Sequence, residues 1–240
     1  MKQLRKWTVA AFCSLAGVLY AQTPSYSTYQ VNKDLTNFTD WTASSLSKNF
    51  KDKHLKGMES QLMKQLAEKM QRGDYNSAYL LQSYKPIPSN KVLEQQLKLT
   101  NGYSRYANIT GVYLEAGENV VLVGDLHGRT VGLLIPDWMR QPTLGYQPTK
   151  DPEGWGLKKQ EILLHEGVNV INVKKAGNVY VDYFADDPDT APAVTIHFVT
   201  GKVNGYFDAT VQSNEDWNRL LDNAVSPVMD VKGKYIQLAY

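Results

Sequence analysis

Apolar positions along the chain change texture near residue 100. Upstream, Leu55, Met58, Leu62, Leu66 and Met70 recur at three- and four-residue steps, with Lys, Glu and Gln between them and Gly73 at the end. That spacing predicts an amphipathic helix closed by a glycine C-cap. Shorter helices are predicted from Asn76 to Ser83, ended by Pro86 and Pro88, and from Asn90 to Leu99, with Val92, Leu93 and Leu97 as the buried side. Methionines at this spacing read as a packed face rather than an adaptable binding groove. Residues 22–39 are polar, rich in Ser, Thr, Asn and Tyr, and read as a linker.

After Asn101 the apolar runs become short and alternating: Ile109–Leu114, Asn119–Val123, Thr130–Ile135, Glu161–Leu164, Val168–Val173, Val179–Phe184 and Ala193–Val199. Turn residues separate them, among them Glu115-Ala116-Gly117-Glu118, His165-Glu166-Gly167 and Lys174-Lys175-Ala176-Gly177-Asn178. Strands at hairpin spacing, with no helical pattern between them, predict a mainly β fold: an antiparallel β-sandwich, jelly-roll-like, preceded by a short helical segment. A parallel α/β sheet would need crossover helices for which there is no room. Pro136 to Leu157 reads as a long surface insertion. Beyond it, Gly205–Ala209 reads as a strand, Ser213 or Asn214 as the cap of a helix through Trp217, Leu220 and Leu221 to about Val225, and Lys234–Tyr240 as a last strand. A terminal strand with no partner after it suggests a sequence cut inside a domain.

The first residues belong to a different class of segment. Lys2, Arg5 and Lys6 precede an apolar run, Thr8 to Leu19, too short to span a bilayer, and Ala21 offers a small residue for cleavage. Residues 1–21 therefore read as a secretory signal peptide, and the protein as periplasmic, cell-surface or released, with no transmembrane segment once the signal is removed. Cys13 is the single cysteine of the 240 residues and lies inside that run, so the exported chain has no disulfide or thiolate to use. Of 26 basic residues, three lie in the signal, leaving 23 against 24 acidic ones. A near-neutral chain has no electrostatic footprint for nucleic acid.

Candidate chemistry is sparse. His165-Glu166-Gly167-Val168-Asn169 begins like the zinc-protease motif HExxH but ends in Asn169, and its glycine puts it in a turn rather than a helix. Asp125 with His127 reads as a hairpin turn before it reads as an acid/base pair, and Asp186, Asp187 and Asp189 as a solvated turn before a calcium loop. His54 is expected to be exposed and His197, between Ile196 and Phe198, to be structural. No phosphate loop, nucleophile elbow or dinucleotide fingerprint is present. The remaining candidates are the insertion's aromatics, Trp138, Tyr146 and Trp155, whose faces could stack on sugar rings or pin the loop to its own domain.

The run Tyr103-Ser104-Arg105-Tyr106-Ala107-Asn108-Ile109-Thr110-Gly111-Val112-Tyr113-Leu114-Glu115-Ala116-Gly117-Glu118 resembles a segment upstream of the catalytic motif in enhancin-like, mucin-degrading zinc metallopeptidases (peptidase family M-sixty). Gly167–Asn172, Gly177–Val181 and Ile196–Gly201 are similar to that family's later strands, and Asp216-Trp217 with Leu220-Leu221 to the opening of its peptidase domain. The resemblance covers roughly residues 45–240 as an ordered series. It implies a helical segment (40–100), a β-sandwich domain (101–204) and the beginning of an α/β peptidase domain (205–240), truncated before HExxH. It also implies zinc only in the missing catalytic region, so no catalytic and no metal residue is carried over, and enzymatic activity is left open. Glycoproteins or mucin glycans are the implied partners. The alternative is a free-standing glycan- or glycoprotein-binding β-sandwich module.

Overall fold

A computed structural model describes residues 25–98, 107–137, 158–234 and 236–240. In chain order these form α1 (Thr28–Asp34), a 3-10 turn (Leu35–Asn37), α2 (Asp52–Gly57), α3 (Gln61–Arg72), β1 (Leu81–Tyr84), β2 (Ile87–Pro88) and α4 (Asn90–Leu97). Then come β3 (Asn108–Leu114), β4 (Gly117–Val123), β5 (Val131–Pro136), β6 (Lys159–Leu163), β7 (Gly167–Val173), β8 (Gly177–Ala185) and β9 (Val194–Phe198). The tail holds β10 (Lys202–Val203), β11 (Phe207–Asp208), α5 (Asn214–Asp222), β12 (Asp230–Lys232) and β13 (Gln237–Ala239).

Two sheets face each other. One has the order β1-β9-β4-β7 and the other β10-β3-β8-β5-β6, with β2 alongside the end of β8. Strand-to-strand pairing is antiparallel throughout, except for β2 with β8 and, in the tail, β11 with β12. The period-2 alternation of strands supplies the interior. Val121, Val123, Ile171, Ile196 and Phe198 from the first sheet meet Val112, Leu114, Leu133, Val179, Val181 and Tyr183 from the second. The mainly-β antiparallel fold expected from the short alternating runs is therefore what forms.

Strand β4 is apolar on both faces. Its other side, Val120 and Leu122, is covered by Val31, Leu35, Phe38, Met63, Leu66 and Ala67 from the amino-terminal helices. The polar run expected to be a linker is thus helical: Val31 and Leu35 stand one turn apart on the face that meets the sheet, and the polar residues around them hide the pair. A buried carboxylate joins this layer. Asp34, at the end of α1, accepts hydrogen bonds from the backbone N–H of Glu59 (3.0 Å) and Ser60 (2.7 Å), just before α3. Gly73 closes α3 in the left-handed conformation (φ 74°), as the spacing predicts, but the expected single helix is broken: Leu55 lies in α2, Met58 ends it, and Ser60 caps a new start at Gln61.

Other expectations need correction. Asn76–Ser83 is not a helix: the Asn76 side chain accepts from Ala78 N–H (3.0 Å) in a turn, and Leu81–Tyr84 pairs with β9. Helix α4 ends at Leu97, whose side chain is exposed rather than buried, while Val92 and Leu93 are half-buried. The helix after Ser213 stops at Asp222, leaving Leu221 and Val225 exposed. The last strand does have a partner, which precedes it: β13 pairs with β12, and Met229 and Tyr240 exchange backbone hydrogen bonds of 2.8 and 2.9 Å. The signal segment lies outside the described residues.

Residues 205–240 form a β11-α5-β12 crossover with β13 added, the α/β character expected there. A polar cluster holds it to the outer face of the second sheet. Asp230, buried, accepts from the Tyr180 hydroxyl and from Asn178 Nδ2 (2.9 Å). Asn204 accepts from Val225 and Ser226 N–H and donates to Val228 C=O. The approach is close at Gly111 (φ 72°), whose C=O accepts from Asn204 and Gly205 N–H; a Cβ there would lie 2.5 Å from Tyr79 Cδ1.

Asp34→Ala is expected to lower the unfolding free energy by about 3 kcal/mol, because the buried N–H groups before α3 lose a charged acceptor. Asp34→Asn should cost less. Urea unfolding followed by far-ultraviolet circular dichroism measures both, and equal stability of Asp34→Ala and wild type would refute this role for the carboxylate.

Candidate functional site

The string that begins like HExxH turns out to be a corner where the chain passes from one sheet to the other, with a twin between β3 and β4. Asn169 Nδ2 donates to His165 C=O (2.7 Å) and Gly167 C=O (3.2 Å), and Gly167 has φ 83°. At the start of β4, Asn119 Nδ2 donates in the same way to Glu115 C=O (2.9 Å) and Gly117 C=O (3.1 Å), with Gly117 at φ 107°. Glu115-Ala116-Gly117-Glu118-Asn119 and His165-Glu166-Gly167-Val168-Asn169 are therefore the same device: a left-handed glycine followed two residues later by an asparagine that satisfies the turn carbonyls. The asparagine that spoils the zinc motif is the residue that makes the turn.

The other candidates also resolve into structure. His127 (φ 53°) sits in a turn where its N–H donates to Asp125 Oδ1 (2.6 Å), and Glu166 accepts from Leu126 N–H (3.0 Å). Asp187 takes Arg129 in a two-pronged pair at 3.0 and 2.8 Å, which holds its carboxyl below the usual range. Asp186 accepts from Ser89 and Lys91, tying the turn to the start of α4. His54 is half-buried rather than exposed, its Nδ1 accepting from Lys51 N–H (2.8 Å). Among the described residues no three His, Cys, Asp or Glu side chains converge to hold a metal ion, so they do not fit a zinc centre. Trp138, Tyr146 and Trp155 lie outside the described residues.

His197 is fully buried where β9 meets the helical layer. Its Nδ1 lies 2.6 Å from Thr42 C=O, which can only accept, so the proton is on Nδ1 and Nε2 accepts from the Tyr75 hydroxyl. Burial pushes that hydroxyl up to about 12, keeping it a donor. Burial also depresses the imidazole below its ordinary value, against weaker opposition from the Thr42 bond and the Asp40 charge. The neutral ring is a structural pin, as its alternating position suggests.

One surface cleft stands at the root of the 138–157 segment. It has a volume of about 170 Å³ and is lined by Ile135, Pro136, Asp137, Gln160 and the lysines 158, 159, 174 and 175. Asp137 N–H donates to Lys158 C=O (2.8 Å), and its carboxylate pairs with Lys175 (2.6 Å). Gln160 spans the gap between the sheets, donating to Asn172 C=O (2.7 Å) and accepting from Lys174 N–H (2.9 Å). Sequence reasoning treated Lys174-Lys175 as turn punctuation and passed over Lys158-Lys159. No local signal joins the two doublets, because β6 and β7 between them lie in different sheets and meet through Gln160.

A mainly-β sandwich under a helical layer, with an α/β tail, is an architecture shared with metallopeptidases. The chain is similar to a metallopeptidase from Bacteroides thetaiotaomicron, at 24% identity and a TM-score of 0.72, over 91% of this chain and 36% of that one. It is similar to a metallopeptidase in complex with Tn antigen, at 25% identity and a TM-score of 0.54, over 68% of this chain and 29% of that one. A structure from Clostridium perfringens ZmpB containing two CBM32 domains and an M-sixty catalytic domain matches 90% of this chain and 24% of its own, at 13% identity and a TM-score of 0.57. The resemblance to enhancin-like metallopeptidases carried by the sequence strings is thus borne out by the structural neighbours. The chain spans about a third of the length of the first of these proteins. No family model and no curated protein matches the chain in sequence.

Because the native imidazole of His197 binds its proton less readily than a free one, stability is complete above the ordinary histidine value of about 6.5 and declines as pH falls below it. Asp230 acts in the opposite sense: burial raises its carboxyl, so its contribution fades as pH rises through the carboxylate range. His197→Gln, which can still reach Thr42 and Tyr75, should flatten the loss of urea resistance between pH 7.5 and about 5.5. An undiminished slope in the variant would remove His197 as its source.

Proposed function

We propose that this chain is the non-catalytic amino-terminal region of a secreted, enhancin-like metallopeptidase acting on glycoproteins such as mucins. It comprises an export signal at 1–21, a helical segment, a sandwich domain and, from residue 205, the first elements of a peptidase domain. The observation that carries this reading is the match of 91% of this chain to 36% of a metallopeptidase, with a TM-score of 0.72. A hydrolytic zinc needs about three protein ligands and a base in one pocket. On this reading a catalytic region outside the chain supplies them. Among the described residues no helix is long and apolar enough to cross a membrane.

A second reading is a glycan-binding module that uses Trp138, Tyr146 and Trp155. It is favoured by the neighbour whose structure holds Tn antigen. Both readings give the sandwich a role in presenting or orienting a glycoprotein.

The purified chain, residues 22–240, should show no chelator-sensitive cleavage of mucin, and the reading frame beyond codon 240 should encode HExxH. Zinc-dependent cleavage by the chain itself, or an immediate genuine stop codon, would overturn the first reading. The second predicts a change in tryptophan fluorescence on adding mucin glycans, weakened in Trp138→Ala. Silence in both proteins would remove it.

A further inference from the structure

Among the described residues nine lysine or arginine side chains pair with a carboxylate. Lys33 pairs with Glu59, Lys202 with Glu115, Arg129 with Asp187 and Arg219 with Asp216. The cleft lined by Ile135, Pro136 and the two lysine doublets gathers four lysines around one lining carboxylate, Asp137. Lys175 is taken by Asp137 (2.6 Å) and Lys159 by Glu161 (2.7 Å). Lys158 and Lys174 have no carboxylate partner among the described residues, yet both line the same cleft.

The backbone explains why the excess charge is held there. Lys158 is fixed by the Asp137 N–H bond to its carbonyl, in continuation of the β5–β6 ladder that pairs Pro136 with Lys159. Lys174 is fixed by the bond from its N–H to Gln160 Oε1, across the gap between β6 and the β7–β8 turn. Because the Gln160 amide is engaged on both sides, it acts as a spacer and adds no competing acceptor to the cleft. Ile135 and Pro136 also line the cleft, both of them buried and Ile135 part of the sandwich core, so the groups it offers a ligand are chiefly those of the lysines.

From this we infer that the cleft lined by Lys158, Lys159, Lys174 and Lys175 binds the anionic substituent of an acidic saccharide, a carboxylate or a sulfate ester. The anion takes the two unpartnered ammonium groups, and Lys175 and Lys159 add longer-range attraction. Neutral sugars lose that contribution and are discriminated against by charge alone. The choice of a saccharide rests on the glycoprotein reading above, whereas the excess of ammonium groups over carboxylates does not.

The test is titration of the purified chain by calorimetry and by ligand-observed NMR. The probes are 3′-sialyllactose, N-acetylglucosamine 6-sulfate, lactose and inorganic sulfate. The acidic sugars should bind and lactose should not, and binding should weaken as salt is raised from low to physiological concentration. Which acidic sugar binds more tightly identifies the carboxylate or the sulfate ester as the source. Charge reversal by Lys158→Glu together with Lys174→Glu should lower affinity by about tenfold or more. Reversal of Lys48 and Lys53, on the helical side, should not. Equal binding of lactose, affinity unchanged in the cleft variant, or no binding of either acidic sugar at millimolar concentration would overturn the inference. Inorganic sulfate binding as tightly as the acidic sugars would mean an adventitious ion only, and would overturn it as well. None of these readouts involves cleavage, so they stand apart from the fate of the peptidase reading.

Discussion

Strand β4 cannot be left half in water. Its run Val120-Val121-Leu122-Val123 is buried on both faces, and each such side chain gains about 2 kcal/mol from removal out of solvent. One face is met by the second sheet. The other requires a cover, and the amino-terminal helices are that cover, held in register by Asp34 between α1 and α3 and by His197 between β9 and Thr42. The sandwich and the helical segment are therefore one packing unit, which explains why the structural match to the Bacteroides protein extends beyond the strands to nearly the whole chain.

Strand positions were readable because alternation is a two-residue signal that needs no knowledge of partners: all seven long strands lie where the apolar runs predict them. Helix α3 was readable for the same reason from Leu62, Leu66 and Met70 and a glycine stop, whereas Leu55 and Met58, in step with them, belong to the separate helix α2 and its end. What was not readable depended on contacts distant in sequence. Val31 and Leu35 are too few to announce a helix, and only the outer face of β4 gives them a reason to be buried. Leu81–Tyr84 looks neutral between helix and strand until β9 is known to lie beside it. The partner of β13 was overlooked because it comes earlier in the chain and is three residues long.

The same division governs the candidate chemistry. The asparagine after the His-Glu-Gly turn could have been identified as structural from sequence, since Glu115–Asn119 repeats its glycine and asparagine at the same offsets. The lysine cleft could not, because the two doublets are brought together by Gln160 bridging two sheets rather than by any local rule. Asn169 serves the backbone of its turn rather than a metal ion, whereas Lys158 and Lys174 serve neither a turn nor an ion pair through their side chains among the described residues.

The order β1-β9-β4-β7 has a consequence for when the first sheet can close. Strand β9 is wedged between β1 and β4, with Leu81 opposite His197, so the first sheet stays open until almost the entire sandwich has been delivered. Late closure of long-range pairs makes folding slow. Strand β1 therefore waits for a partner more than a hundred residues further along the chain before it is paired.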